Sequence, residues 1–202
     1  MPFDYQDRYF HLAKKERYLA RAVYKLQEIQ NKHKVVRLGD RVLDLGAAPG
    51  SWMQLTSGIV GPKGIVVGVD LKPITHPFPP HVVAMQRDIF DAGFDEELLR
   101  DYGPFDVVLS DMAPSTSGIR VADSARSELL FEHALFLAQR LLKPQGHFLS
   151  KIFQGSDFHN LLQQVKRLFG SVKVVKPDAS RKQSKEIYIL SMRFKKPTPS
   201  LE

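Results

Sequence analysis

Hydrophobic positions follow two periods along the chain, and the switch between them defines the predicted elements. In residues 14–32, KKERYLARAVYKLQEIQNK, Leu19, Ala22, Val23, Leu26 and Ile29 recur at helical spacing beside Lys14, Lys15, Arg17 and Arg21, which predicts one amphipathic basic helix. From Arg41 onward short apolar runs alternate with helical segments. RVLDLG, GIVVGVD, HVVAMQRD and FDVVLSD read as strands, SWMQLTSGIV and DEELLRDYG as helices. The helix SELLFEHALFLAQRLL, stopped by Pro144 and Gly146, leads into the strand GHFLSKIFQG, where Lys151 interrupts an apolar run. DFHNLLQQVKRLFG predicts another helix, closed by Gly170, before the strands SVKVVKP and KEIYILSMRF.

Strand–helix alternation of this kind implies an α/β fold: a mostly parallel, doubly wound sheet with helices on both faces. Only the polar segment DASRKQS joins the last two strands, too short a link for a parallel crossover, so they are expected to pair antiparallel. A mostly parallel doubly wound sheet with an antiparallel last strand is the Rossmann-like architecture of class I methyltransferases that use S-adenosylmethionine. On this reading residues 1–36 are a basic arm and helix packed on the domain, 37–195 the methyltransferase domain and 196–202 a tail. KPITHPFPPH, residues 72–81, reads as a stiff loop.

Composition narrows the picture. The 202 residues, 43% hydrophobic and 25% charged, are those of one ordinary globular domain. No apolar run approaches the roughly 18 residues of a membrane span, and no secretory or organelle-type leader is visible, so the expectation is a soluble, cytoplasmic monomer with no membrane partner. The absence of cysteine excludes disulfides, thiolate metal sites and a cysteine nucleophile, and no metal is expected. The net charge of +7 favours a polyanionic partner, most simply nucleic acid.

Ligands of open parallel sheets bind beyond the carboxyl ends of the strands, and here that edge is acidic. Asp44, Asp70, Asp88 and Asp111 stand at or near the ends of the first four strands, and the loop DLGAAPGSW carries Gly46, Pro49, Gly50 and Trp52. No lysine follows Gly50 as a P-loop requires, and the G-x-G-x-x-G fingerprint is missing. Four carboxylates suit a pyrophosphate poorly and S-adenosylmethionine well, because its sulfonium and ammonium are cationic and its ribose donates hydroxyls. Asp70, about 20 residues beyond Gly50, falls where a ribose-binding acid is expected, and Asp88 is placed to accept from the adenine amine. The competing reading of such aspartates is helix capping, and that of Trp52 is simple core.

The methyl acceptor can be narrowed by elimination. Pyrimidine C5 methylation usually proceeds through a cysteine, which the chain lacks. Amino-group methylation commonly uses [DN]-P-P-[FYW] after the fourth strand, where this chain has Asp111-Met112-Ala113-Pro114. A sugar hydroxyl must lose or share its proton before attack, which calls for a base or a cationic anchor. Lys151, on the strand following that of Asp111, is available for either task.

DLGAAPGSW, SDMAPSTSG, LSKIFQG, SRKQSKEIYIL and ARAVYKLQEI together resemble, in order over residues 10–194, the signature blocks of the FtsJ (RrmJ) family of ribose 2′-O-methyltransferases. The resemblance implies a Lys-Asp-Lys-Glu tetrad at Lys25, Asp111, Lys151 and Glu186. Lys151 would accept the 2′-hydroxyl proton, Asp111 and Glu186 would hold Lys151, and Lys25 would orient ribose or phosphate. Two carboxylates raise a lysine pKa whereas burial and a second lysine lower it, so a cationic, steering Lys151 stays open beside the base. Ser51 stands where bacterial members often have another glycine.

Lys14, Lys15, Arg17 and Arg21 precede Lys25, and Arg181, Lys182 and Lys185 precede Glu186, so both basic clusters are candidate RNA contacts, against the alternative of solvated faces. Within the family, the compact chain points to a uridine of large-subunit (23S) ribosomal RNA, with the assembled large subunit as partner. The alternatives are a tRNA 2′-O-methyltransferase and a non-catalytic RNA-binding ribosome-assembly factor. A dehydrogenase on the same sheet is disfavoured by the missing fingerprint.

Overall fold

The computed structural model describes residues 5–115, 117–181 and 184–195, with side chains from residue 8. Two helices, α1 (Tyr5–Lys15) and α2 (Val23–His33), precede β1 (Arg41–Leu45), α3 (Ser51–Val60), β2 (Ile65–Asp70) and β3 (Val82–Gln86). Then come α4 (Phe94–Tyr102), β4 (Phe105–Ser110), α5 (Arg120–Leu141), β5 (Leu142–Phe153), α6 (Phe158–Leu168), β6 (Phe169–Val175) and β7 (Glu186–Phe194). The described strands form one sheet in the order β3-β2-β1-β4-β5-β7-β6. Pairing is parallel from β3 through β5, whereas β7 runs antiparallel to both β5 and β6, as the short last link requires. No described helix is long and apolar enough to cross a membrane. Strand order reverses between β1 and β4, which opens a crevice at their carboxyl ends.

Alternation along each strand assigns side chains to two core layers. Leu43, Val67, Phe148, Ile152, Ile187 and Ile189 pack with α4, α5 and α6. Val42, Val66, Leu149, Tyr188 and Leu190 pack with Leu26 and Ile29 of α2 and Trp52 and Met53 of α3. Lys151 has the parity of Leu149 and Glu186 that of Tyr188, so both project to the α2–α3 side, where Lys25 also resides.

Several element boundaries differ from the sequence reading, among them the start of α5 at Arg120 instead of Ser127 and of β6 at Phe169 ahead of Gly170, and two have a visible cause. The single helix expected over 14–32 is two helices, because α1 ends in a left-handed turn at Arg17 (φ 60°). There the Arg17 N–H donates to Lys14 O (3.3 Å) and the Tyr18 N–H to Ala13 O (2.8 Å), a Schellman closure built on arginine instead of glycine. Gln54 of α3 accepts from the Leu19 N–H (2.8 Å) and donates to Arg17 O (3.2 Å), so tertiary contacts satisfy the broken turn. The second difference is β5, which starts at Leu142, ahead of Pro144. It does so with a bulge, since β4 advances from Phe105 to Val107 while β5 advances from Leu142 to His147.

Candidate active site

The β1–α3 loop is shaped by two glycines in the left-handed region. At Gly46 (φ +76°) a Cβ would come within 2.5 Å of Met112 Cγ, and at Gly50 (φ +110°) within 2.9 Å of the Phe78 ring. Asp70 ties this loop to the next, with Oδ2 accepting the Ala48 N–H (2.9 Å) and Oδ1 the Lys72 N–H (2.9 Å). Asp88 Oδ1 accepts the Phe90 N–H at 3.0 Å. Between these loops and the residues after β4 lies a cleft of ≈360 Å³, whose lining includes Gly46, Ala48, Asp70, Asp88 and Asp111 with Phe90 as part of its apolar wall.

Other residues expected at this edge sit behind the lining. Pro49 and Gly50 form the neck leading into α3. Trp52 is buried, donates Nε1–H to Ala22 O (2.9 Å) and lies 6.0 Å from the Tyr188 ring, so its side chain ties α3 to the start of α2 instead of flanking the cleft. Asp44 is fully buried on the α2–α3 side, and neither carboxylate oxygen has a hydrogen-bond partner among the described residues. Burial pushes its carboxyl well above the ordinary range, and the neighbouring charges of Asp111 and then Asp70 push the same way.

Lys151 is 7% exposed, and its Nζ lies 2.5 Å from the Asp111 main-chain oxygen and 3.0 Å from Asp111 Oδ1. Lys25 Nζ lies 2.8 Å from Glu186 Oε1 and 5.9 Å from the centre of the Tyr188 ring. The four predicted tetrad residues are therefore brought together, but as two ion pairs. Glu186 was expected to hold Lys151 jointly with Asp111; its ion pair is with Lys25. The β5–β7 register explains this, since Tyr188 stands opposite Lys151 and Glu186 opposite Phe153, two residues further along. Tyr188, missed in the sequence, bridges the pairs by donating its hydroxyl to Asp111 Oδ1 at 2.6 Å. Burial, then the charge of Asp111, pushes the phenol well above its ordinary value and keeps it a donor. Its position two residues beyond Glu186, on the same strand face, was the available signal.

On the substrate side, Lys14, Lys15 and Arg17 are exposed at the end of α1. Arg21 donates to Ala179 O (2.9 Å) and, with Lys25, Arg181, Ser184 and Glu186, lines a second cleft of ≈250 Å³. Two basic clusters far apart in sequence thus converge at Arg21 and Arg181, while Lys182 lies outside the described residues. Glu28 arranges the meeting from α2, its carboxylate accepting the Asp178 N–H (2.6 Å) and the Ala179 N–H (2.9 Å) of the β6–β7 connection.

The profile of the FtsJ-like methyltransferase family matches residues 18–194. A relative from Syntrophobacter fumaroxidans, ribosomal RNA large subunit methyltransferase E, is 65% identical over 97% of this chain and 100% of its own. The protein of the same name from Bdellovibrio bacteriovorus is 46% identical, over 96% of this chain and 100% of its own. Among solved structures, a ribosomal RNA methyltransferase from Plasmodium falciparum superposes with a TM-score of 0.76 at 28% identity, covering 88% of this chain and 98% of that one. With a profile match across most of its length and relatives this similar, the chain belongs to the FtsJ-like methyltransferase family.

Proposed function

We propose that this protein methylates the 2′-hydroxyl of a ribose in large-subunit ribosomal RNA, with a uridine as the acceptor nucleotide, acting as a cytoplasmic monomer on the assembled subunit. The observation that carries the reading is Lys151, buried, held by Asp111 of the acidic cleft and paired across the sheet with Tyr188, two residues from Glu186 of the Arg21–Arg181 cleft. The residues present fit S-adenosylmethionine. A cleft of ≈360 Å³ suits a cofactor of that size, and three of its lining groups are carboxylates, with Asp44 buried behind them. Asp70 and Asp88 would hold the ribose and the adenine, and Asp111 the cationic end. The cofactor supplies an electrophilic methyl on sulfonium. Lys151 takes the hydroxyl proton at Nζ, and the ammonium formed is stabilised by the Asp111 carboxylate at 3.0 Å. Lys25, fixed by Glu186, faces the cleft through which the substrate sugar and phosphate would approach.

The contacts of Lys151 also favour a second reading. Both are to oxygen acceptors, the arrangement an ammonium makes, and an ammonium would steer the hydroxyl and stabilise its developing charge without taking the proton. A single-turnover pH profile separates the two. A base gives a rate that rises with pH to a plateau, whereas a required ammonium gives one that falls as the lysine deprotonates.

Labelled methyl transfer to large subunits, free ribosomal RNA and tRNA, followed by alkaline hydrolysis, tests the function. A methylated 2′-oxygen cannot attack its neighbouring phosphate, so label should appear in an alkali-resistant dinucleotide with uridine on its 5′ side, from subunits or ribosomal RNA. Label on a base or only on tRNA would overturn the proposal.

A further inference from the structure

We propose that a third cleft, lined by Arg120, Phe153, Ser184 and Lys185 among others, is a second nucleotide subsite holding the phosphate and base that adjoin the acceptor ribose along the RNA. This rests on the reading that an RNA ribose is the acceptor. The cleft has a volume of ≈170 Å³ and lies between the start of α5 and the turn before β7. Ser184 lines both this cleft and the one containing Arg21, Lys25 and Arg181, so the two open on either side of one residue. Phe153 is opposite Glu186 in the β5–β7 register and two residues beyond Lys151, hence on the same strand face at the sheet edge.

The charges in this cleft are unbalanced. Arg120 and Lys185 are exposed, and no hydrogen bond or ion pair of either side chain is present among the described residues. The acid beside them, Asp123, is already committed. It accepts the Ser117 N–H (2.8 Å), the Ser117 hydroxyl (2.9 Å) and the Gly118 N–H (3.2 Å), and lies 3.6 Å from Arg126. Two cations are left to meet an external anion. A ribose presenting its 2′-hydroxyl to Lys151 continues into phosphodiesters in both directions. The Arg21–Arg181 cleft accounts for one direction, and Arg120 with Lys185 supplies the counterpart for the other. Phe153 adds an aromatic wall of the kind single-stranded bases stack on. The small volume fits a strand laid across the surface, with a phosphate between the cations and a base against the ring.

The test uses the full chain, the cofactor and a ribosomal RNA fragment. Replacing both cations, Arg120→Gln with Lys185→Gln, is expected to raise the KM for RNA about tenfold and to lower its dependence on log salt by about one unit of slope, with cofactor affinity unchanged. Phe153→Leu is expected to raise KM severalfold with the slope kept, because stacking is lost and no charge is. Lys63→Gln, which removes one charge at an exposed lysine in the α3–β2 turn, serves as the reference for the loss of a surface cation. A wild-type KM and slope in the double variant, or an equal effect at Lys63, overturns the subsite. Wild-type protein that transfers no methyl to any RNA overturns instead the functional reading beneath it, and the subsite with it.

Discussion

At the residue scale the site rests on two buried ionisable groups with opposite fates. Lys151 is compensated, with Nζ against a carboxylate and a carbonyl oxygen, which makes a buried lysine tolerable. Lys151→Ala should lower methyl transfer by about 10²–10⁴-fold, while cofactor affinity in calorimetry stays within a few fold. The fold should survive, because Asp111 keeps the Tyr188 hydroxyl and its side chain is 16% exposed, enough to admit water. Asp44 is uncompensated among the described residues. With its pKa raised by folding, the native state holds a proton that the unfolded chain has already released. Stability should therefore fall as pH rises from the ordinary aspartate range toward the raised value. Asp44→Asn removes that ionisation, so the stability difference between variant and wild type should shift in the variant's favour as pH rises from 5 to 8. Denaturant unfolding at several pH values measures this, and a pH-independent difference would show that Asp44 does not titrate between the two states.

At the element scale, the pairing of β5 with β7 decides which charges meet. Because Glu186 is two residues beyond the partner of Lys151, its measurable coupling should be to Lys25. A double-mutant cycle of Lys25→Met and Glu186→Gln should give a coupling of about 1–3 kcal/mol, against well under 1 kcal/mol for Lys151→Met with Glu186→Gln. A larger coupling in the second cycle would restore the arrangement in which both acids grip Lys151. The same scale explains how far the sequence could be read. Strand identities, the antiparallel end and the acids at the carboxyl edge follow from period and link length, which are local. The break at Arg17 was hidden because a non-glycine residue occupies the left-handed position and its turn is completed by Gln54, 37 residues away. Trp52 was ambiguous for a similar reason, since its direction depends on the docking of α2. Tyr188 was legible by parity once Glu186 was placed, but only the register shows that it faces Lys151.

At the scale of the whole molecule, opposite charges line different clefts. The chain carries a net +7, yet the cleft proposed for the cofactor is bordered by Asp70, Asp88 and Asp111, while Arg120, Arg181 and Lys185, unpaired among the described residues, line the two clefts that share Ser184. Exposed charges meeting a polyanion release counterions, so RNA affinity should drop steeply with salt, by about 10²–10⁴-fold between 50 and 300 mM if several phosphates are neutralised. The acidic groups act at short range on a single small cation and are partly withdrawn from solvent, where screening is weaker. Cofactor affinity should accordingly change by less than about threefold over the same interval. Parallel measurements by calorimetry for the cofactor and by filter binding for RNA test the separation. A cofactor affinity that falls in step with that for RNA would mean that the acidic cleft does not recognise its ligand through the partly buried carboxylates, and that the division of the surface into an acid cofactor side and a basic RNA side is wrong.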